Sequence, residues 1–428
     1  MPVRFLAVFT CLAALQAQTP NYEKNFANAK TFYAQGRFQD AEWSMAAALA
    51  EVENASPVDP RFSVVLFELG EIQRAQGKYA EAATMLERLL RFNEKHLDPA
   101  SLESIKGMEA LARVYRAQAR YEEAEPLYRR ALTAREALQG RESLDLVSVM
   151  ESLASVAQAT KKYADAEVLL ARAIGIREKT QGPDHPEVAV EYTNLARLFT
   201  IQKKLSSAEP LYRRALEIVE KKYGVEDAKL CPLLDNLAAL LRGQSKFEEA
   251  EPLLKRSLWI RDNASGPVHQ DVAQSLDNLA SLYYAMKRYA DAEPYYRRSL
   301  GIWTLLLGPD HSVVATSLDN LAVILALEKQ YAEAETLYAR SLAIRDREDA
   351  ASLHNLAMVE EALDRPKEAE PLYKRILTIA DRPETKPKEL ASLLREYAEV
   401  LRKTGHPAQA AKLDARAAAL EKQPAPRM

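Results

Sequence analysis

A small residue returns through this chain at a nearly constant interval, and that interval constrains the fold more than any other feature. Alanine stands at 41, 82, 124, 166, 208, 250, 292, 334, 369 and 410, separated by 41, 42, 42, 42, 42, 42, 42, 35 and 41 residues. Twelve positions before each lies a second small residue: Ala29, Gly70, Ala112, Ala154, Ala196, Ala238, Ala280, Ala322, Ala357 and Ala398. A fixed period of this length is the signature of a repeat architecture, in which one unit cannot bury its apolar face alone and stacks on its neighbours. It also accounts for the length. Single cores stop growing near ~250–300 residues, and 428 residues exceed that. A stacked array has no single centre to outgrow.

Each unit reads as two helices. Val272, Leu276, Leu279 and Tyr283 follow a spacing of three to four residues, which marks one apolar helical face. After the polar turn Lys287-Arg288, a second helix carries Ala292, Tyr296, Ser299, Leu300 and Trp303 inward. Prolines 126, 210, 252, 294 and 371 are expected in the first turn of the second helices, where a missing N–H costs little. Gly140, Gly182, Gly266 and Gly308 are expected to stop those helices. The paired small residues have a steric reason, since short side chains let two crossing backbones approach closely. With only 13 glycines in the chain, an all-α fold is the expectation.

These blocks, such as Tyr121-Glu-Glu-Ala-Glu-Pro-Leu-Tyr-Arg-Arg-Ala-Leu132, resemble the tetratricopeptide repeat. Tyr128, Tyr212, Tyr296, Tyr338 and Tyr373, four residues after the second-helix alanine, fit the same pattern. The 42-residue period, with Ser-Leu-Asp-Asn-Leu-Ala at 275–280 and 317–322, is similar to the subclass found in kinesin light chains. The resemblance implies a right-handed α-solenoid of ten helix hairpins over residues 18–421, with 422–428 as a disordered tail. One irregularity stands out: repeat 8 runs into repeat 9 with a connection seven residues short.

The N-terminus reads differently. Arg4, an apolar run from Phe5 to Leu15 and then Gln16-Ala17-Gln18 have the layout of a secretory signal peptide over residues 1–17. Cleavage is expected after Ala17, giving a secreted or periplasmic protein. The run is too short for a spanning helix, which needs roughly 20 residues. Removing it also removes Cys11 and leaves Cys231 alone, expected as a packed residue without a disulfide.

Catalytic signatures are absent from the sequence, so the expectation is a protein that is not an enzyme and uses no cofactor or metal. His185, His269 and His311 share one loop slot, and capping of the following helix is their expected role. The formal charge of -3 gives no reason to expect a nucleic-acid partner. The resemblance implies that the first helix of each hairpin lines an inner groove. The residue two before its small position is Asn194, Asn236, Asn278, Asn320 and Asn355 in five consecutive repeats. An amide offers both a donor and an acceptor, so such a ladder suits the main chain of an extended peptide or a protein surface. Arg113, Arg116, Arg197 and Arg242, with Arg74, are expected on the same face as readers of acidic groups, unless Glu109 neutralises Arg113 along its helix. Tyr284 joins them, and Asp235, Asp277 and Asp319 are expected beside the ladder. The function that follows is a non-catalytic protein-interaction scaffold. A self-associating envelope assembly, or an intracellular adaptor if the N-terminus is retained, are the alternatives.

Overall fold

The first helix of the structure begins at Tyr22 and carries Ala29, the first of the paired small residues. The structure is a computed structural model that describes residues 21–56, 58–98, 100–345, 349–382 and 385–422. The expected signal peptide and residues 423–428 of the expected tail lie outside the described residues.

Among the described residues there are twenty α-helices and no strand, arranged as ten successive hairpins. The chain divides into two compact units, 1–218 and 219–428. The first contains α1 (Tyr22–Ala34), α2 (Phe38–Ala55), α3 (Arg61–Ala75), α4 (Tyr79–His96), α5 (Leu102–Ala117), α6 (Tyr121–Gln139), α7 (Asp145–Ala159), α8 (Tyr163–Gln181), α9 (Pro186–Ile201) and most of α10 (Leu205–Tyr223). The second contains α11 (Cys231–Gly243), α12 (Phe247–Ser265), α13 (Gln270–Ala285), α14 (Tyr289–Leu307), α15 (Ser312–Leu327), α16 (Tyr331–Ile344), α17 (Ala350–Ala362), α18 (Pro366–Ala380), α19 (Pro387–Lys403) and α20 (Pro407–Glu421).

The small residues do what their spacing requires. All nineteen alanines of the paired slots are at most 1 % exposed. Gly70 is the exception in type, and a Cβ there would come within 2.8 Å of Leu86 Cγ. The predicted tyrosines 128, 212, 296, 338 and 373 are all buried beside them. Burial pushes their hydroxyls above the ordinary phenol range.

Each hairpin turns through one left-handed residue. After α5, Ala119 sits at φ 58°. The Ala119 N–H donates to Arg116 O at 3.0 Å and the Arg120 N–H to Tyr115 O at 2.8 Å, satisfying carbonyls that the helix end would otherwise leave open. Glycine fills this slot at Gly36, Gly77 and Gly405, but Lys161, Lys203, Ser245, Lys287, Lys329 and Asp364 fill it elsewhere, also at positive φ.

The second helices open on the expected aromatic, as at Tyr289, but their prolines lie deeper in the helix than expected. α6 opens at Tyr121, so Pro126 lies inside the helix rather than in its first turn, and the same holds for prolines 210, 252, 294 and 371. The left-handed residue ends the first helix so tightly that the next begins two residues later, drawing the Tyr-Glu-Glu-Ala segment into helix. The glycine stops are in place: Gly140, Gly182, Gly266 and Gly308 follow α6, α8, α12 and α14 with φ between 80° and 93°. The seven-residue deletion shortens α16 to 14 residues, against 19 in α14. It preserves a contact between hairpins, because Arg345 reaches Ser352 just as Arg261 reaches Ser275 two repeats earlier.

Second helices of neighbouring hairpins are also joined by a periodic ion pair. In the first unit Arg88 pairs with Glu53, Arg130 with Glu94 and Arg172 with Glu136. In the second, Arg256 pairs with Glu220, Arg298 with Asp262 and Arg416 with Asp381.

Candidate peptide-binding face

The asparagine slot lies two residues before the small residue of each first helix. At 3.6 residues per turn that is about 200° around the axis, away from the buried small-residue stripe. Asn194 on α9, Asn278 on α13, Asn320 on α15 and Asn355 on α17 are accordingly half-buried, and Asn236 on α11 is exposed. Asn194 Oδ1 accepts from Arg197 Nη2 at 3.3 Å, and Asn278 Oδ1 accepts from Gln274 Nε2 at 3.3 Å. Asn355 lies against the Tyr338 hydroxyl. Asn236 and Asn320 make no side-chain hydrogen bond among the described residues. Amide capacity is therefore left over, most of all at those two positions.

In the first unit the structure brings three of the candidate residues together. Arg116 from α5, Glu151, Ser152, Ser155 and Gln158 from α7, and Asn194 and Arg197 from α9 line an open hollow of about 350 Å³. Arg116 and Arg197 have no carboxylate partner among the described residues. Arg113 is used differently: it donates to Glu71, which also accepts from Arg74. Glu109 does not neutralise Arg113, because it pairs with Arg135 on the second helix of its own hairpin.

In the second unit Asp235, Ala239, Arg242 and Asn278 line a smaller hollow of about 60 Å³. Arg242 donates from Nη1 to Ser281 Oγ at 2.6 Å. Tyr284 remains 45 % exposed beside the ring of Tyr289.

The aspartates expected beside the ladder are each committed to a partner across the hairpin, Asp319 also to the next one. Asp235 pairs with Arg261 at 2.8 Å, Asp277 accepts from Trp303 Nε1 at 3.2 Å, and Asp319 holds Arg345 and Ser352. The ties to Arg261, Trp303 and Arg345 each span 26 residues, the separation also seen between Glu109 and Arg135, whereas Ser352 belongs to the next hairpin. One residue earlier than the asparagine slot is a rotation of about 100°, enough to move the carboxylate from the open face to the partner helix. Burial raises the Asp277 carboxyl above the usual range.

Two features escaped the sequence. Ser155 and Gln158 follow Ser152 by three and six residues on α7, the spacing of one helical face. Glu191 on α9 is fully buried, accepts from Arg177 Nε at 2.8 Å and faces Glu151. Desolvation, then Glu151, raise its carboxyl against the opposing pull of Arg177. The signal was present, since this slot holds Val149, Ser275, Ser317 and Ser352 in other repeats, all buried. An acid there is anomalous.

His185, His269 and His311 cap helices as expected. Their Nδ1 atoms accept from the N–H of Glu187, Asp271 and Val313 at 3.2–3.3 Å. Cys231 is buried, its thiol donating to Ser257 O at 3.7 Å. Among the described residues no cluster could hold a metal ion, and no helix is long and apolar enough to cross a membrane.

Comparison with known proteins gives one family match. The tetratricopeptide repeat model matches residues 61–137, 101–179, 145–221, 229–304, 271–347 and 348–423. No curated protein matches the chain. Among solved structures, BtubC (BKLC) from P. vanneervenii is 24 % identical, with 54 % of this chain and 91 % of that chain covered and a TM-score of 0.44. A kinesin light chain with nearly identical TPR-like repeats from Podosopora anserina is 22 % identical, covering 48 % of this chain and 98 % of that one, with a TM-score of 0.45.

Proposed function

Since this chain belongs to the tetratricopeptide repeat family, we propose that it is a non-catalytic scaffold that binds an extended peptide or protein surface along its first helices. The observation that carries this reading is the hollow where Arg116 of one hairpin meets Asn194 and Arg197 of another, neither arginine forming an ion pair with the Glu151 that also lines it. Asn194, Asn236, Asn278, Asn320 and Asn355 read the ligand main chain, offering one donor and one acceptor each. Arg116 and Arg197 are the principal charge readers, with Arg242 secondary to them. Arg113 contributes less, because Glu71 already balances it.

The test is an affinity pull-down from the source organism with two variants, Arg116→Ala/Arg197→Ala and Asn236→Ala/Asn278→Ala/Asn320→Ala. Both remain folded by circular dichroism, and each loses the partner that the unaltered chain retains. Retention by both variants overturns the assignment of this face. The protein acts outside the cytoplasm, in a secreted or periplasmic setting, on the strength of Arg4 and the run Phe5 to Leu15. N-terminal sequencing of the native protein is expected to begin at Gln18, and a native chain that keeps residues 1–17 overturns this placement.

A further inference from the structure

Among the described residues the second-helix ion pair is missing at two rungs: Arg214 turns from Glu178 to Asp184, and at the other rung the acid itself is replaced by Thr304. The period places Thr304 of α14 opposite Arg340 of α16, as it places Asp262 opposite Arg298 and Glu220 opposite Arg256. Thr304 cannot replace the acid, since its hydroxyl donates to Leu300 O of its own helix at 2.7 Å. Arg340 is exposed and has no carboxylate partner among the described residues.

The same rung carries an unusual surface. Leu305, Leu306 and Leu307 complete α14, and they are 74 %, 44 % and 40 % exposed. Corresponding positions hold Lys221-Lys222-Tyr223 on α10 and Asn263-Ala264-Ser265 on α12. Three consecutive exposed leucines are neither core nor a solvated helix end, and a contiguous exposed apolar patch marks an interaction site. The substitution that removes the acid and those that create the patch fall in one stretch of four residues, 304–307. Arg340, which the period sets opposite Thr304, adds a positive charge at the same rung.

We propose that the end of α14, with Arg340 of α16, is a second docking surface, whose partner is a polypeptide segment bearing large apolar side chains and a carboxylate. The apolar side chains cover Leu305, Leu306 and Leu307, and the carboxylate supplies the missing half of the Arg340 ion pair. A bare apolar patch accepts many partners, whereas an Arg–carboxylate pair at its margin adds orientation and specificity. This surface is built from second helices and does not depend on the first-helix face proposed above.

The probe is a phage-displayed library of random 16-residue peptides selected on the full chain. Binders are expected to combine apolar residues with at least one acidic residue. Leu305→Gln/Leu306→Gln is expected to weaken them at least about tenfold, the cost of losing buried leucine contact. Arg340→Glu is expected to abolish the selected binders and, in a fresh selection, to exchange acidic residues for basic ones. Because all three positions are exposed, the variants keep the wild-type circular dichroism and melting temperature. The proposal is overturned if binders show no acidic bias or are indifferent to these substitutions. It is also overturned if sedimentation shows a dimer of the full chain that Leu305→Gln/Leu306→Gln dissolves, or if flotation with anionic phospholipid vesicles depends on the same residues. The first outcome assigns the patch to a second copy and the second assigns it to a membrane.

Discussion

Asp277 on α13 accepts a hydrogen bond from the indole Nε1 of Trp303 on α14, at 3.2 Å across the hairpin. The carboxylate sits one residue from Asn278, yet it serves the fold while the amide faces outward. Asp277→Ala leaves the indole N–H without its acceptor and is expected to cost about 1–3 kcal/mol. Asp277→Asn keeps an acceptor and removes a partly buried charge, so its cost is expected to be smaller. Urea unfolding followed by tryptophan fluorescence checks both. If Asp277→Ala is as stable as the wild type, the aspartate does not hold the hairpin.

A second prediction concerns close approach. Gly70→Ala places a methyl group 2.8 Å from Leu86 Cγ and must displace that side chain or the helix. A loss of about 1–3 kcal/mol is expected, as for other overpacked cores. Leu86→Ala in the same chain relieves the clash, so the two substitutions together should cost less than their separate effects added. Thermal unfolding of the four variants gives the coupling.

The left-handed turns give an opposite prediction. Lys161 and Lys287 hold φ near 60° with a Cβ, a conformation that costs an L-residue about 1–2 kcal/mol. Glycine relieves this strain but gives back about 0.5–1 kcal/mol in unfolded-state entropy. Lys161→Gly and Lys287→Gly are each expected to stabilise the chain by about 0.5–1 kcal/mol, while Gly77→Lys should destabilise it. A differential scanning measurement in which either lysine-to-glycine variant melts lower rejects the strain argument.

The buried acid gives a pH dependence. Desolvation, reinforced by Glu151, raises the Glu191 carboxyl from 4.5 to about 8. The folded chain therefore holds this proton more tightly than the unfolded chain. The resulting stability is complete below the unfolded value of 4.5 and is lost as pH rises through the folded value near 8. Glu191→Gln keeps an acceptor for Arg177 and cannot ionise. Its stability is expected to vary less than that of the wild type between pH 5 and 8, so that the variant gains on the wild type as pH rises toward 8. Parallel curves would mean that Glu191 does not titrate in this window.

The sequence by itself determined the hairpins, because a period of 42 residues with two small residues at a fixed offset admits little else. It also located the helix stops, since Gly140 and Gly182 occupy φ values that other residues avoid, and the capping role of His185, which is a local contact to the second residue beyond it. What tertiary structure decided were matters of rotation. Asp277 and Asn278 are neighbours in sequence, but about 100° of helix turn sends one to the partner helix and leaves the other open. Arg113 and Arg116 look equivalent on α5, yet only packing against α3 brings Glu71 to Arg113 and leaves Arg116 to the hollow. The pairing of Glu151 with Glu191 spans two hairpins and depends on their stacking. Periodicity fixes which face a side chain is near, whereas its partner across that face is set by how the next helix packs against it.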